Sequence, residues 1–161
     1  MDKDILTPDL VEMAIEHVVP NIEQFMFDQC KRADLAIVVT GTAAFFPARD
    51  VMNDRQVDAS CITAEIRNSD SWEHPFDKIA RSKAQISART GRSTAEVRPH
   101  HRLEDDTVWW GSVVLDDIVV ACSGVEPWFD EMFSMWIAAT IRGWSCDKFE
   151  QLDKSKNFVG A

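Results

Sequence analysis

The clearest pattern of apolar and polar positions lies at residues 108–131, VWWGSVVLDDIVVACSGVEPWFDE. Residues 108–115 and 118–123 are apolar at nearly every position and rich in β-branched side chains, which predicts two strands covered on both faces. Asp116-Asp117 between them fits a two-residue hairpin loop. Ser123-Gly124 closes the second strand, Pro127 suits a first helical turn, and Asp130-Glu131 place negative charge at a positive helix N-terminus. A helix is predicted from Pro127 to Gly143.

Upstream, Thr7 before Pro8 reads as an N-cap and first helical position. Leu10, Val11, Ala14, Ile15, Val18, Ile22, Phe25 and Met26 then recur at helical spacing. Pro20 inside this pattern predicts a kink over residues 16–20 or two abutting helices. Residues 35–39 predict a short buried strand, residues 41–59 an irregular excursion, and residues 60–67 an alternating strand with Ile62, Ala64 and Ile66 on one face. Asn68 to Ser71 reads as a loop. A helix over 75–90 follows, with Ile79, Ala80, Lys83, Ala84 and Ile86 inward and Gly91 as its C-cap. Residues 92–107 are polar and are expected to cross the surface, and residues 147–161 read as a loose tail. This order predicts one α+β domain over residues 1–161, an antiparallel sheet with helices packed on its faces.

Composition narrows the function classes. With 161 residues the chain is long enough for one core, and a net charge of −10 argues against binding a nucleic-acid backbone. No apolar run approaches the roughly 20 residues of a membrane span, and the first residues lack a basic region before an apolar one, so a cytoplasmic protein is expected. Cys30, Cys61, Cys122 and Cys146 are widely spaced and read as buried free thiols. Six Trp and no Tyr leave open whether the large rings serve a core or a partner surface.

Residues 62–94, ITAEIRNSDSWEHPFDKIARSKAQISARTGRST, resemble the GlcG/HbpS-like family, often labelled haem-degrading. Its members carry a strand ending in Glu-Arg-x-Asp, a loop, and a helix with Lys-Ala before a Gly-Arg-x-Ser/Thr turn. Lys83-Ala84 and Gly91-Arg92-Ser93-Thr94 match this pattern, and Arg67 and Asp70 match it loosely. Gly111, Asp117 and residues 123–131 resemble the family's strand-turn-strand and its Ser-Gly-Gly-x-Pro-x-x-Asp-Glu segment. The resemblance implies a profilin-like sheet. Val125 replaces the second glycine of that segment, and Trp128, Phe129, Met132, Phe133, Met135 and Trp136 stand where the family has small residues. An open, glycine-lined pocket for haem or a corrinoid is expected to be narrowed accordingly.

Size, acidity, tryptophan content and the altered pocket glycines together resemble the small subunits of two-component hydroquinone 1,2-dioxygenases. That resemblance implies a larger cupin-type partner subunit carrying Fe(II), a hetero-oligomer, a small phenolic substrate, and no cofactor or catalytic residue in this chain. The alternative is a stand-alone module for haem, a corrinoid or a small organic acid, as the wider family implies. A purely structural assembly protein is a third reading.

Several residues are candidates for these roles. Trp72, His74 and Phe76, entering a helix from a polar loop, can wall a planar phenolic ligand by stacking and a hydrogen bond, although Trp72 and Phe76 read equally as a hydrophobic staple. Trp109 and Trp110, predicted in a strand, should point to opposite faces, so one is expected to meet a partner. Trp128 and Phe129 are further candidates for a subunit contact, while Trp128, Met132, Met135 and Trp136 fall at the spacing of a core stripe. His100, His101 and Glu104 form a weak metal-ligand set, more simply read as solvated polar residues. The Ser123-Gly124 turn has N–H groups that can hold an anion.

Overall fold

The fold rests on an antiparallel sheet in the order β2-β1-β4-β3, in a computed structural model that describes residues 5–42, 62–67 and 69–159. Helix α1 spans Pro8–Phe25, β1 Leu35–Gly41, β2 Ile62–Ile66, α2 Phe76–Thr90, β3 Ser112–Leu115, β4 Ile118–Ser123 and α3 Pro127–Glu150. This is the α+β arrangement predicted, with helices on both faces. The expected excursion at 41–59 lies outside the described residues apart from Gly41 and Thr42, as does Cys61.

The central strands β1 and β4 are buried along their whole lengths, as two-sided apolar runs require. Leu35, Ile37 and Val39 pair with Ile66, Ala64 and Ile62 of β2, and this face packs with Val120 and Cys122 under α1 and α3. The opposite face presents Ala36, Val38, Val119 and Ala121 to Ala80 and Ala84 of α2. These are small side chains on both sides, so α2 lies close to the sheet. Thr63 and Glu65, on the α2 side of the edge strand β2, are exposed because α2 covers β1, β3 and β4 instead.

Local signals hold at several points. Thr7 Oγ1 accepts the Leu10 N–H at 3.2 Å and Pro8 opens α1. Asp116 and Asp117 both adopt positive φ, 48° and 65°, as the primed turn of a tight hairpin demands. Gly91 ends α2 at φ 69° with its N–H on the Ser87 carbonyl.

Other expectations are corrected. Helix α1 runs through Pro20 as one helix rather than two, and a π-helical turn follows it at Met26–Cys30. Pro20 is exposed, so no buried acceptor is left wanting on its side of the helix. Helix α3 continues past Gly143 to Glu150, because Trp144 packs against His17 of α1 at 5.2 Å between ring centroids and tertiary contact outweighs one helical glycine. The tail therefore begins after a helix end, with a short helical turn at Lys154–Lys156.

The buried stripe of α3 is also displaced from its predicted positions. The buried residues are Pro127, Asp130, Phe133, Ser134, Ile137, Ala138 and Ile141; of the expected stripe, Met132 and Trp136 pack partly buried against the core, while Trp128 and Met135 are exposed. Among the described cysteines, Cys122 is fully buried, Cys30 is partly buried and Cys146 is exposed. No helix among the described residues is long and apolar enough to cross a membrane.

Candidate functional site

Strand β3 begins at Ser112, four residues later than the apolar run suggests, because Gly111 is held by side chains rather than by a neighbouring strand. Thr94 Oγ1 accepts the Gly111 and Ser112 N–H groups at 2.9 and 3.0 Å. Ser134 Oγ lies 2.8 Å from the Gly111 carbonyl and accepts the Cys122 N–H at 3.0 Å. Ser87 and Ser112 share a hydroxyl contact of 2.7 Å. Buried polar groups need such partners, and here Ser87, Thr94, Ser112 and Ser134 supply them to one another and to the backbone. The segment 92–107 is thus not only a surface crossing, since Thr94 is buried in this network.

Gly111 sits at φ 137°, where L side chains are strained, and a Cβ there would stand 2.7 Å from Asp130 Cβ and 3.1 Å from Lys83 Nζ. Its lack of a side chain makes room for a buried ion pair. Lys83 on α2 reaches across to Asp130 on the first turn of α3, Nζ to Oδ2 at 3.0 Å, with side-chain exposures of 1% and 2%. Lys83 also donates to the Cys122 carbonyl at 2.8 Å. Asp130 Oδ1 accepts the Val125 N–H at 3.2 Å. The turn expected to hold an anion is therefore occupied by the chain's own carboxylate. Gly124 is required there for another reason, since a Cβ would fall 2.0 Å from the Asp34 carbonyl oxygen.

Burial pushes the Asp130 carboxyl up to about 6, against the opposing pull of Lys83 and of the turn N–H groups. Burial likewise drives the Cys122 thiol up to about 12, so it stays a neutral core group.

Above this pair opens a cleft of about 320 Å³. Its floor is Lys83 and Asp130, its apolar walls include Phe76, Ile79, Trp109 and Val125, and Arg32, His74 and Glu126 stand around it. Arg32 and Glu126 are half-exposed and 3.9 Å apart. A broader depression of about 670 Å³ adjoins it and shares Arg32, His74 and Phe76, but is lined largely by charged groups, among them Lys31, Asp34, Arg67 and Glu73. Arg67 Nε lies 3.2 Å from Asp34 Oδ1 without the alignment of a hydrogen bond.

The residues singled out in the sequence fall into different places. His74 and Phe76 line the cleft, with ring centroids 5.7 Å apart. Trp72 does not line it. Its ring meets Phe76 edge-on at 5.8 Å and packs on the Ala36, Val38, Ala80 layer, and its buried indole N–H finds no acceptor among the described residues. The staple reading suits Trp72, and Phe76 serves both roles. Trp109 and Trp110 precede β3, so strand alternation does not govern them; Trp109 lines the cleft while 53% exposed, and Trp110 is partly buried.

Trp128 is 54% exposed, but Phe129 turns inward onto Phe25 at 5.1 Å and is not an open contact surface. Of the bulky residues expected to fill the pocket, Val125 alone reaches it, and a cleft remains. His100 and His101 are exposed on a short turn with centroids 4.3 Å apart, and Glu104 is exposed nearby in sequence. Among the described residues no three His, Cys, Asp or Glu side chains gather into a metal-holding group.

The central feature is the Lys83–Asp130 pair, which the sequence pattern does not single out as a site. Its signal was a lysine at an inward position of an otherwise apolar helix face. A buried lysine is costly unless it is paired, so its partner had to lie in a neighbouring element.

Comparison with protein-family models, characterised proteins and solved structures finds no match to this chain. The fold and the cleft define an α+β domain with an antiparallel sheet and an ion pair at the base of a small, partly aromatic cavity.

Proposed function

We propose that the chain is the site-shaping small subunit of an Fe(II)-dependent hydroquinone 1,2-dioxygenase, with the iron carried by a larger cupin-type partner. The sequence resemblance motivates this reading, and the observation that carries it is the size and lining of the cleft. A volume of about 320 Å³ lies at the lower end of ligand pockets, which run from roughly 300 to 1,000 Å³. That suits a single ring rather than a tetrapyrrole, which favours a phenolic ligand over the haem or corrinoid alternative. Phe76 and Trp109 supply aromatic walls, and His74 supplies a polar group.

The exposed aromatic residues support a partner. Val108 and Trp109 are 81% and 53% exposed, and Trp128 follows Pro127, which also lines the cleft. Large exposed rings beside an open cavity are the residue types enriched at the centres of protein interfaces. In this arrangement the partner covers the cleft mouth and contributes the ring-opening chemistry, while this chain orients and encloses the substrate.

Co-expression with a cupin-type partner tests the division of labour. Oxygen-dependent ring cleavage of hydroquinone is expected from the complex and from neither chain alone. Stoichiometric iron and full ring-cleaving activity in the purified single chain would overturn it.

A further inference from the structure

We propose that the Lys83–Asp130 pair is the recognition floor of the cleft and that this chain alone binds a neutral, single-ring hydroxyl compound, holding its O–H between the two side chains. The inference rests on the cleft being a ligand site, as argued above, but not on the dioxygenase assignment.

The pair keeps unused hydrogen-bonding capacity. An ammonium has three donors; the Cys122 carbonyl and Asp130 take two from Lys83. An ionised carboxylate has about four acceptor positions. Lys83 and the Val125 N–H occupy two on Asp130. One donor on Lys83 and two acceptor positions on Asp130 are therefore left over, in a pair that lines the cavity. A hydroxyl is the simplest group that satisfies both, because it accepts and donates at one atom.

The charges around the cleft are paired. Among the residues lining the cleft, Arg32 faces Glu126 at 3.9 Å at the rim and Lys83 faces Asp130 at 3.0 Å at the floor. The charges balance in pairs, which leaves no surplus positive charge to hold a carboxylate or phosphate and favours a neutral ligand.

The shape of the cleft fits a flat ring. Phe76 and Trp109 present rings, and Ile79, Val125 and Pro127 present aliphatic surface, within a volume suited to one ring. A flat hydrocarbon body with an O–H at its inner end matches both the walls and the floor. The fixed position of the pair supports this role. Gly111 leaves space beside it, and Thr94 and Ser134 hold Gly111 in place.

The test is titration of the full chain with phenol, benzene and benzoate, followed by amide chemical shifts. Phenol is expected to shift the Gly111, Val125 and Trp109 signals and to bind about tenfold or more tightly than benzene, the scale of a hydrogen bond to a charged group. Benzoate is expected to bind more weakly than phenol. Lys83→Met should reduce phenol to the affinity of benzene. If that variant does not fold, the comparison of the three ligands on the unaltered chain decides alone.

Equal affinities for phenol and benzene, tighter binding of benzoate, or phenol-induced shifts confined to other parts of the molecule would each overturn the inference. Failure of the dioxygenase reading would look different. The partnered complex would lack ring cleavage while phenol discrimination by this chain persisted.

Discussion

Lys83 Nζ and Asp130 Oδ2 lie 3.0 Å apart in the interior, joining α2 to the first turn of α3 across the end of β4. Removing one partner of such a pair leaves an uncompensated buried charge, which costs about 3–5 kcal/mol. Lys83→Met is therefore expected to lower unfolding free energy by that amount at neutral pH in urea denaturation. Lys83→Met combined with Asp130→Leu should cost less than the two single changes added together. Additive effects would show that the side chains do not act as a pair.

The carboxyl of Asp130 is raised from its ordinary 3.8 to about 6, chiefly by burial. A group whose folded value is raised contributes stability that is fully present below its unfolded value and is lost as pH rises through the folded value. The window is thus about pH 4 to 6, and the shift corresponds to roughly 3 kcal/mol at most. Asp130→Asn removes this titration. Measured against that variant, the unaltered chain should lose stability between pH 4 and 7; a constant difference would mean that Asp130 titrates at its ordinary value. Asp106 works in the opposite sense. Burial alone would raise it, but the Arg89 ion pair at 2.7 Å prevails and lowers it, so its contribution is lost only as pH falls below the ordinary carboxylate range.

Much of this fold is legible in the chain. The hairpin turn at Asp116-Asp117, the Thr7 cap, the Gly91 stop and the two-sided burial of β1 and β4 each follow from a local rule about φ, capping or apolar runs. The fold departs from these local rules where distant contacts prevail. Val108 to Trp110 have strand composition, but Thr94 and Ser134 capture Gly111 and delay the strand to Ser112. The rotation of α3 follows from Asp130 pointing at Lys83, which turns Trp128 outward, a choice that hydrophobic spacing does not encode. For the cleft, His74 and Phe76 could be anticipated from their loop. Lys83 and Asp130 could not be paired without the fold, because 47 positions separate them.

Two glycines give opposite expectations. Gly111→Ala places a Cβ 2.7 Å from Asp130 Cβ at a φ that side chains avoid, so a loss of more than about 2 kcal/mol is expected. Gly143, inside α3, has no atom within 4 Å of an added Cβ. Gly143→Ala should therefore stabilise the chain by about 0.5–1 kcal/mol through helix propensity and reduced unfolded-state freedom. Thermal unfolding of both variants checks the pair, and a destabilising Gly143→Ala would count against the continuous helix.

Trp128 and Phe129 are adjacent in the first turn of α3 yet face different surroundings. Trp128 is 54% exposed, whereas Phe129 meets Phe25 edge-on at 5.1 Å. Trp128→Ala is expected to leave unfolding free energy within about 0.5 kcal/mol, as an exposed substitution does. Phe129→Ala removes packing and an aromatic pair, and should cost about 2 kcal/mol or more. Subunit association should reverse the order: if Trp128 lies at the centre of the partner contact, its truncation weakens assembly of the co-expressed complex by at least about 2 kcal/mol, the scale of an interface hot spot. Affinity measured between the separated subunits distinguishes the cases. An unchanged association constant for Trp128→Ala would remove this ring from the interface and place the partner on another face of the domain.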